Sequence, residues 1–555
     1  MNIDRIVNEN PLIKLGYDQL KENQKVVIKE CLELGSGSMF LPMGYGKTII
    51  SLILPLIQRE LNKEKIILFV LSKTLIINLI AEIKKFFGDE LKYDVLHSDY
   101  IDVKKWNVKN DIIITTSNVL SKYYTSLNID LQFIKSEWSN QYHSTIKKYM
   151  KVKEPLLHIN EGVPFLYSNK LSVLITDESQ GYYNMDRPKG KCIASLCVVN
   201  RWLLSGTMIE EPKIEKIFGY YLLLNLKGIP RNKPAFENYI RKDSYKGLRS
   251  TMVLREKNEE FEPPKINSII VTNKLTFEEI MIYENTKKVL FKLNKLQKKY
   301  KQAGDKENSK KFSSFKMAML THLRESIICP LVPITNIAIS VSFCNKRNEL
   351  ANIFMESLHE LDLSDWLNDI ESLKSSRIKK MLERIEKHKD DKIIIFSCYR
   401  FSLNILASFI ENRELFTIES NHNIERRKKS LDDFSNSKNG IMLLTYDIGA
   451  NGLNLQCCST VFIADFFWND GKRAQSIARI IRPGQLSKSV NVYYFTSNTG
   501  IENAIFKSQK CKIETFEKLL DGKFESDLKT IKIDNIIKLL EEEDNLNLLT
   551  SILKF

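Results

Sequence analysis

The sequence predicts an α/β fold made of two tandem parallel sheets, each flanked by helices, with helical insertions. Short apolar runs that end in small or polar residues indicate buried strands, and segments with helical periodicity separate several of them. The same alternation returns after a long helical stretch. At 555 residues, 43% of them apolar, the chain is longer than one hydrophobic core usually serves, so we expect two or more domains.

The predicted strands form two groups, one in each half of the chain. Their members are almost continuously apolar: 65–72, 111–117, 171–179 and 200–207, then 391–398, 440–447, 459–466 and 489–497. The segment TLIINLIAEIKKFF (74–87) has helical periodicity and separates the first two runs. Strands that alternate with helices in this way indicate a parallel sheet in each half.

The same pattern predicts the domain boundaries. We expect a first lobe over 1–235 with an insertion over 121–170, a bridge over 236–275 with a hinge at Pro263 and Pro264, a helical insertion over 276–385, a second lobe over 386–520 and a helical tail over 521–555. The tail has an amphipathic pattern that suits packing on the body or binding a partner, and packing is favoured.

The charge of the chain favours polyanions. It carries 83 Lys and Arg against 68 Asp and Glu, a net charge of +15. An A/T-rich coding genome would explain part of the lysine count without any function. The densest lysine run, KLNKLQKKYKQAGDKENSKK (292–311), is interpreted as a solvated helix face or loop rather than a dedicated nucleic-acid contact.

The cysteine pattern supports neither a zinc site nor a disulfide framework. The nine cysteines are scattered without CxxC pairs, and the seven histidines do not cluster near them, which suits a reducing compartment. No window holds the apolar run that a membrane helix needs, and the start, MNIDRIVNENPLIK, lacks the layout of a secretory signal. We expect an intracellular protein that is not secreted and has no membrane partner.

The stretch LPMGYGKT, from Leu41 to Thr48, ends like a phosphate-binding loop. The general pattern, G-x-x-x-x-G-K-[ST], has glycine where this chain has Leu41. Apolar runs on both sides supply a strand and a helix, so backbone N–H groups and the helix N-terminus would face phosphates. Lys47 would then reach the β- and γ-phosphates and Thr48 would bind Mg²⁺. The alternative is a glycine turn with an incidental Lys-Thr pair.

Two adjacent carboxylates, Asp177 and Glu178, follow the apolar run 171–176. Such a pair is costly at the end of a buried strand unless it holds a cation. Asp177 would hold Mg²⁺ through water, and Glu178 would orient and deprotonate the attacking water. Alone, the pair would carry little weight, but together with the phosphate loop it predicts a nucleotide-hydrolysing site.

Such a site also needs a cation for the charge that develops on the γ-phosphate. In AQSIARIIRPGQ, Arg479 and Arg482 are three apart and are predicted to share one face of a helix. An arginine finger of this kind is worth about 10³ to 10⁵ in rate. The alternative is a pair of surface arginines, and the flanking Gln475 and Gln485 argue against it.

In the order of these motifs the chain resembles superfamily-two helicase-type motors, and among them the Swi/Snf-like double-stranded DNA translocases. Their first motif, M-G-x-G-K-T, is matched by Met43–Thr48 and has no glycine at the position of Leu41. Gln24 falls on the glutamine of their adenine-sensing segment. Further matches are FVLSKTLIINLIAEIKKF, TTSN, RWLLSGTMIEE, VLREKNEEFEPPK, LTHLRESIICP, SSRIKKMLERIEKHKDDKIIIFSCY and the run from LLTYDIGANGLNL to RPGQ.

The resemblance implies two tandem RecA-like lobes that bind ATP and Mg²⁺. The implied catalytic residues are Lys47, Asp177, Glu178, Arg479 and Arg482, with Thr48 and Asp177 at the metal. The implied nucleotide-binding residues are Gln24, Met43, Gly44, Tyr45, Gly46, Lys47, Thr48, Gly452 and Gln475. The implied DNA-binding residues are Thr115, Thr116, Ser117, Gly452, Asn454 and Trp468.

The implied function is a DNA-dependent ATPase that translocates on double-stranded DNA in transcription, remodelling or genome maintenance. Its location would be the nucleus, a viral factory or a virion, with a transcription or chromatin partner. Two alternatives stay open: a strand-separating DNA or RNA helicase or RNA-dependent ATPase, or a degenerate DNA-binding or assembly subunit. The departures that keep the second open are Gln180 for His, Met208 for Pro, and Glu210 and Glu211 for Gln and Asn. A further departure is Asp447, where a basic or polar residue is common.

Overall fold

The chain forms two compact units, one of residues 1–262 with 512–530 and one of residues 263–511 with 531–555. The computed structural model describes residues 3–42, 44–103, 106–126, 164–205, 214–226, 228–230, 232–242, 246–255, 262–343, 348–363, 365–366, 369, 372, 374–450, 453–468, 470–520 and 533–541. Most of the predicted insertion over 121–170 therefore lies outside the described residues. The division between the units falls at Pro263, where the sequence predicts a hinge.

The first unit is built on a seven-stranded sheet with the order β3-β4-β2-β5-β6-β1-β7. Its strands are β1 (Gly37–Phe40), β2 (Ile67–Leu71), β3 (Asp94–Leu96), β4 (Ile112–Thr116), β5 (Leu171–Thr176), β6 (Val198–Ser205) and β7 (Met252–Leu254). Every neighbouring pair is parallel, so the carboxyl ends of all the strands meet at one edge.

Helices flank this sheet along the chain. They are α1 (Ile3–Glu9), α2 (Pro11–Tyr17), α3 (Glu22–Leu34), α4 (Lys47–Leu61), α5 (Lys73–Phe87), α6 (Ser117–Ser126), α7 (Pro164–Ser168), α8 (Pro188–Ala194), α9 (Ile214–Leu224), α10 (Lys233–Lys242) and α11 (Lys246–Arg249). The central strands β2, β4 and β5 are buried along their whole length, as expected for strands covered on both faces. The four strands predicted for this half are confirmed.

The second unit is built on a six-stranded parallel sheet with the order β10-β11-β9-β12-β13-β8. Its strands are β8 (Lys265–Thr272), β9 (Ile393–Ser397), β10 (Leu415–Thr417), β11 (Ile441–Thr445), β12 (Thr460–Ile463) and β13 (Ser489–Thr496). The four strands predicted for this half are confirmed as well. The stretch predicted as a bridge, 236–275, contributes β7 to the first sheet and β8 to the second.

The helices of the second unit include a long hairpin before the sheet core. They are α12 (Phe277–Gln302), α13 (Lys306–Ser326), α14 (Leu331–Phe343), α15 (Asn348–His359), α16 (Ser376–Lys387), α17 (Arg400–Ala407), α18 (Ile424–Asn436), α19 (Tyr446–Gly449), α20 (Asp470–Ala478), α21 (Gly500–Leu520), which belongs to this unit only as far as Cys511, and α22 (Ile533–Glu541). In the tail, α22 buries Ile536, Ile537 and Leu540 in the same core as the sheet, as the packing interpretation predicts. No helix in the described ranges is long and apolar enough to cross a membrane.

Candidate functional site

The loop between β1 and α4 has the backbone of a phosphate-binding turn. Gly44 and Gly46 have positive φ angles of 78° and 87°, and Gly46 is the N-cap of α4. The left-handed φ of Gly46 strains any other residue, and a Cβ atom there would also displace the Gln24 carboxamide, whose Nε2 atom would lie 2.2 Å away. Leu41 is 2% exposed and belongs to the apolar core beside the sheet. The chain turns only after Leu41, which is why glycine is not needed at that position.

Lys47 lies within this loop. Its Nζ atom donates to the carbonyl oxygen of Leu41 at 2.8 Å, which draws the ammonium group back along the loop. Thr48 follows in the first turn of α4 and is half-buried. A lysine and a hydroxyl at a helix N-terminus form an anion-binding arrangement, because the backbone N–H groups there point outward. Met43 lies outside the described residues.

The structure places Gln24 against the loop from the side of α3. Its Nε2 atom donates to the carbonyl of Tyr45 at 2.8 Å, and its Oε1 atom accepts from the N–H of Lys21 at 3.0 Å. Tyr45 is itself buried at 4% exposure. The carboxamide therefore bonds the loop to α3, and a nucleotide-binding role for Gln24 stays a prediction.

Arg255, directly after β7, was not selected from the sequence. Its guanidinium forms an ion pair with Glu30 of α3 at 2.7 Å. The hydrogen bond to Glu30 raises the pKa of Arg255, and Tyr45 makes a smaller contribution in the same direction. Its backbone N–H donates to the carbonyl of Phe40, the last residue of β1. The motif VLREK supplied the signal, but only the fold brings it beside the phosphate-binding loop.

The carboxylates Asp177 and Glu178 follow β5 at the same edge of the sheet as the loop. Asp177 Oδ1 accepts from the backbone N–H of Glu178 at 2.8 Å. Glu178 has a left-handed backbone with a φ of 48°, which costs a non-glycine residue about 1 to 3 kcal/mol. Both side chains are half-buried, so they stay accessible to a ligand at this edge.

Gln180 connects Glu178 to the end of the next strand. Its Nε2 atom donates to Glu178 Oε2 at 2.8 Å, and its Oε1 atom accepts from the hydroxyl of Ser205 at 2.6 Å. Gln180 is 7% exposed and Ser205 is fully buried. The amide is suited to this place because it donates to a carboxylate and accepts from a hydroxyl at once. Met208, Glu210 and Glu211, the next departures along the chain, lie outside the described residues.

The segment TTSN joins β4 to α6, and its hydroxyl groups are engaged within the protein. Thr115 is fully buried and donates to the carbonyl of Leu96 at 2.8 Å. Thr116 accepts from the N–H of Val119 at 3.2 Å, and Ser117 lies near the phenol of Tyr182, whose pKa is raised by burial. The surface that this segment offers a ligand is thus the N-terminus of α6 rather than the threonine hydroxyls.

Arg479 and Arg482 do not share a helix face, and that prediction is wrong. Helix α20 ends at Ala478, and both arginines lie in the turns that follow. Proline explains why the helix does not continue. Pro483 has no N–H to donate to the carbonyl of Arg479, which instead accepts from the N–H of Leu455 at 3.3 Å. Helical backbone is also disfavoured for Arg482, because it precedes a proline.

The two arginines differ in exposure. Arg479 is 5% exposed, and its Nε and Nη2 atoms donate to the carbonyl of Ala450 at 3.1 and 2.6 Å. Arg482 is half-buried. Gln475, on α20, is 5% exposed. The guanidinium of Arg479 thus bonds the segment just before Gly452, which lies outside the described residues, while Asn454 on its far side is exposed.

Trp468 belongs to an aromatic cluster around Arg324, a residue that the sequence did not single out. The Arg324 guanidinium lies 5.1 to 5.7 Å from three ring centroids, those of Tyr399, Phe467 and Trp468. It also donates to the carbonyl of Phe466 at 2.8 Å. Burial acts to lower the pKa of Arg324, whereas Tyr399 and nearby acidic groups raise it above its usual value. Arg324 on α13 thereby holds the loop that carries Trp468.

Asp447, another departure, lies on the exposed first turn of α19. It forms an ion pair with Lys472 of α20, so its charge is offset within the same edge of the sheet. A pocket of about 250 Å³ adjoins it, with Arg400, Thr417 and Thr445 among its lining residues. Within the described ranges no cluster of three or more His, Cys, Asp and Glu side chains could hold a metal ion.

The residues of the first unit fit a nucleotide with Mg²⁺. The two positive-φ glycines turn the chain into the N-terminus of α4, whose backbone N–H groups can bind phosphates. The Thr48 hydroxyl and the Asp177 carboxylate are the hard oxygen ligands that Mg²⁺ prefers, and this ion usually completes its shell with phosphate oxygens and water. Two protein ligands are therefore sufficient.

Comparison with known proteins gives the family. The sequence matches the SNF2-related domain over residues 26–330 and the helicase conserved C-terminal domain over residues 373–484. It is 25% identical to "Putative helicase 172L" of Invertebrate iridescent virus 6 over 96% of each chain. It is 28% identical to the DNA repair and recombination protein RAD54 of Saccharomyces cerevisiae over 38% of this chain and 25% of that one, so it spans a quarter of the yeast protein.

A solved structure, the SWI2/SNF2 ATPase core of Sulfolobus solfataricus in complex with dsDNA, aligns with 95% of each chain at 18% identity and a TM-score of 0.34. At that TM-score the alignment adds nothing to the assignment. The SNF2-related domain match alone covers more than half of the chain. The chain therefore belongs to the SNF2-related family and carries a helicase C-terminal domain.

Proposed function

We propose that the protein is a DNA-dependent ATPase that couples ATP hydrolysis to translocation on double-stranded DNA. The observation that carries the proposal is the hydrogen-bond chain Glu178–Gln180–Ser205. It joins the carboxylate expected to act on the attacking water to the first residue of the SGT motif, which couples ATP to DNA in the family that the sequence resembles. Such a connection is what coupling of hydrolysis to DNA contact requires.

Each candidate site residue of the first unit has a role in the proposed hydrolysis. Lys47 and the N–H groups at the start of α4 bind the phosphates of ATP. Glu178 accepts the proton of the attacking water, and Gln180 holds its carboxylate in place through the bond to Oε2. When bound at Thr48 and Asp177, Mg²⁺ supplies positive charge to the phosphate oxygens.

The second unit would supply the cationic partners. Arg482 is the residue proposed to stabilise charge on the γ-phosphate. Arg479 is proposed to act with it while bonding the segment that begins after Ala450. Nucleotide-dependent closure and opening of the two lobes would then produce the stepping motion.

Duplex contacts are proposed to be mainly to phosphates. In the first unit the N-terminus of α6 presents the backbone N–H groups of the TTSN segment, and anions bind readily at such ends. Ser117 lies near Tyr182, which belongs to the same 3₁₀ turn as Gln180, so this segment is close to the turn that carries Gln180. Asn454 is the exposed candidate in the second unit. Binding of this kind is salt-dependent and nearly blind to sequence.

The test is the steady-state ATPase rate with duplex DNA, single-stranded DNA, RNA or no nucleic acid. We expect duplex DNA to stimulate hydrolysis most. No hydrolysis by the parent protein under any condition would favour a degenerate DNA-binding or assembly subunit. Processive strand separation in a gel-based unwinding assay would favour a strand-separating helicase instead.

A further inference from the structure

The helical hairpin α12–α13 carries a row of lysines that no family motif includes. Its buried side packs in the core of the second unit through residues such as Leu290, Leu293 and Phe315. Both helices begin with a side-chain cap, at Thr276 and Asp305. The hairpin is therefore held firmly on one side and presents the other side to solvent.

Some lysines of the hairpin have structural partners. Lys287 forms an ion pair with Glu284, and Lys311 forms one with Glu349 of α15. Lys316 is buried and donates to Asn294 at 3.2 Å. The charges of these three lysines are therefore matched by partners within the second unit.

A second set, Lys288, Lys292, Lys295 and Lys299, has a different arrangement. We call these four the lysine row; all four are exposed. Their spacing of four, three and four residues places them on one face of α12, in a straight line about 16 Å long at 1.5 Å per residue. In the part of the chain that the structure describes, none of the four forms an ion pair or a hydrogen bond through its side chain.

The lysine row is not what an ordinary solvated helix face would contain. Like charges three or four residues apart destabilise a helix, and interspersed acidic residues would give the same solubility. Elsewhere the chain does intersperse them, as in the pairs Lys25–Glu22 and Lys380–Glu383. From 285 to 302, α12 contains seven lysines and no acidic residue. A bound polyanion would offset the repulsion.

We propose that the lysine row binds the phosphate backbone of double-stranded DNA, as a contact additional to the motif segments. The proposal rests on the proposed function for its partner. A duplex carries one negative charge per about 1.7 Å of its axis, so a straight row of about 16 Å lies against about nine or ten charges. A protein partner fits less well, since protein interfaces have an apolar centre and the lysine row has none between its members.

The test compares two variants of the full chain. The row variant is Lys288→Gln, Lys292→Gln, Lys295→Gln and Lys299→Gln. The control variant removes the same charge at exposed lysines of the second unit that form no row: Lys379→Gln, Lys387→Gln, Lys389→Gln and Lys438→Gln. Equilibrium binding to a duplex is measured between 50 and 200 mM salt. The logarithm of the binding constant falls with the logarithm of the salt concentration, with a slope of about 0.9 per phosphate contact because counterions are released.

We expect each lysine of the row variant to lose roughly one phosphate contact. The salt dependence of duplex binding should then become less steep by about three, and binding should weaken at least tenfold. The control variant should flatten it by less than about one. The ATPase rate without DNA should be unchanged in both. A Lys-to-Arg version of the row variant should bind like the parent, because it keeps the charge.

The outcomes separate this proposal from the proposed function. Equal slopes in the row and control variants would show a solvated face and overturn the proposal. A larger loss with single-stranded DNA than with duplex would overturn the duplex assignment. If duplex DNA fails to stimulate the parent ATPase while the row variant still loses duplex binding, the proposed function fails and the lysine row stands.

Discussion

The candidate site residues of the two units hold their charges in different ways. In the first unit, Asp177 and Glu178 are half-buried, and their described hydrogen bonds include ones to near neighbours in the chain, such as Gln180. In the second unit, Arg479 is 5% exposed and its guanidinium bonds the carbonyl of Ala450, which lies 29 residues earlier. The carboxylates of the first unit keep exposed surface that a ligand can reach, whereas Arg479 of the second unit bonds the loop of its own unit.

The largest expected effect concerns the carboxylates of the first unit. Glu178→Gln should lower the duplex-stimulated ATPase rate by about 10² to 10⁴, because the amide cannot accept the proton of the attacking water. The measurement is the steady-state rate at saturating ATP. Asp186→Asn, an exposed site nearby, is the matched control and should keep the parent rate. A Glu178→Gln variant with parent activity would remove Glu178 from the chemistry.

The next effect tests whether Arg479 supports structure. Arg479→Met leaves the carbonyl of Ala450 without its charged donor, so the free energy of unfolding should fall by about 1 to 3 kcal/mol. Arg482→Met should lower it by less than about 1 kcal/mol, since that side chain is half-buried. Urea unfolding gives both values. Equal losses of stability would contradict a structural role for Arg479 that Arg482 does not share.

A smaller effect examines the Glu178–Gln180–Ser205 chain. Gln180→Ala removes both of its bonds, and we expect about tenfold less stimulation by duplex DNA, the equivalent of one hydrogen bond to a charged group. Ser205→Ala should act through the same chain. The double variant should therefore lose little more than Gln180→Ala alone, and fully additive losses would contradict a connected chain.

The smallest effect concerns the second unit. Asp447→Asn removes the carboxylate that pairs with Lys472 and leaves that ammonium group available to a phosphate. Duplex binding should tighten a few-fold, and its salt slope should steepen by up to about one. Asp432→Asn, on the exposed side of α18, is a control of equal charge. Weaker binding after Asp447→Asn would show that the ion pair itself is needed.

The sequence predicted the centre of each sheet better than its edges. The eight strands expected in the two groups of apolar runs are present, as is β1, expected before the phosphate-binding loop, whereas β3, β7, β8 and β10 were not predicted as strands. These four are the edge strands of the two sheets. An edge strand is covered on fewer sides, so it needs no continuous apolar run and leaves a weaker pattern.

The site shows a similar division. Local motifs predicted Lys47, Asp177 and Glu178 as catalytic residues and showed Gln180 as a departure from the family pattern, and the catalytic roles stay predictions. The motifs could not identify Arg255 or Arg324, whose partners lie far away in the chain. Arg324, for example, bonds the carbonyl of Phe466 across 142 residues. The motifs also placed Arg479 and Arg482 on a helix that ends before them.

The sequence by itself determined the two parallel sheets, the nucleotide-site motifs and the family they resemble, because periodicity and residue chemistry are local properties. Tertiary structure decided which groups each side chain meets. It showed that Leu41 is a core residue, that Gln24 bonds the phosphate-binding loop, and that Gln180 joins Glu178 to Ser205. It also aligned four exposed lysines on one helix face. Hydrogen bonds and burial depend on residues brought together only by folding.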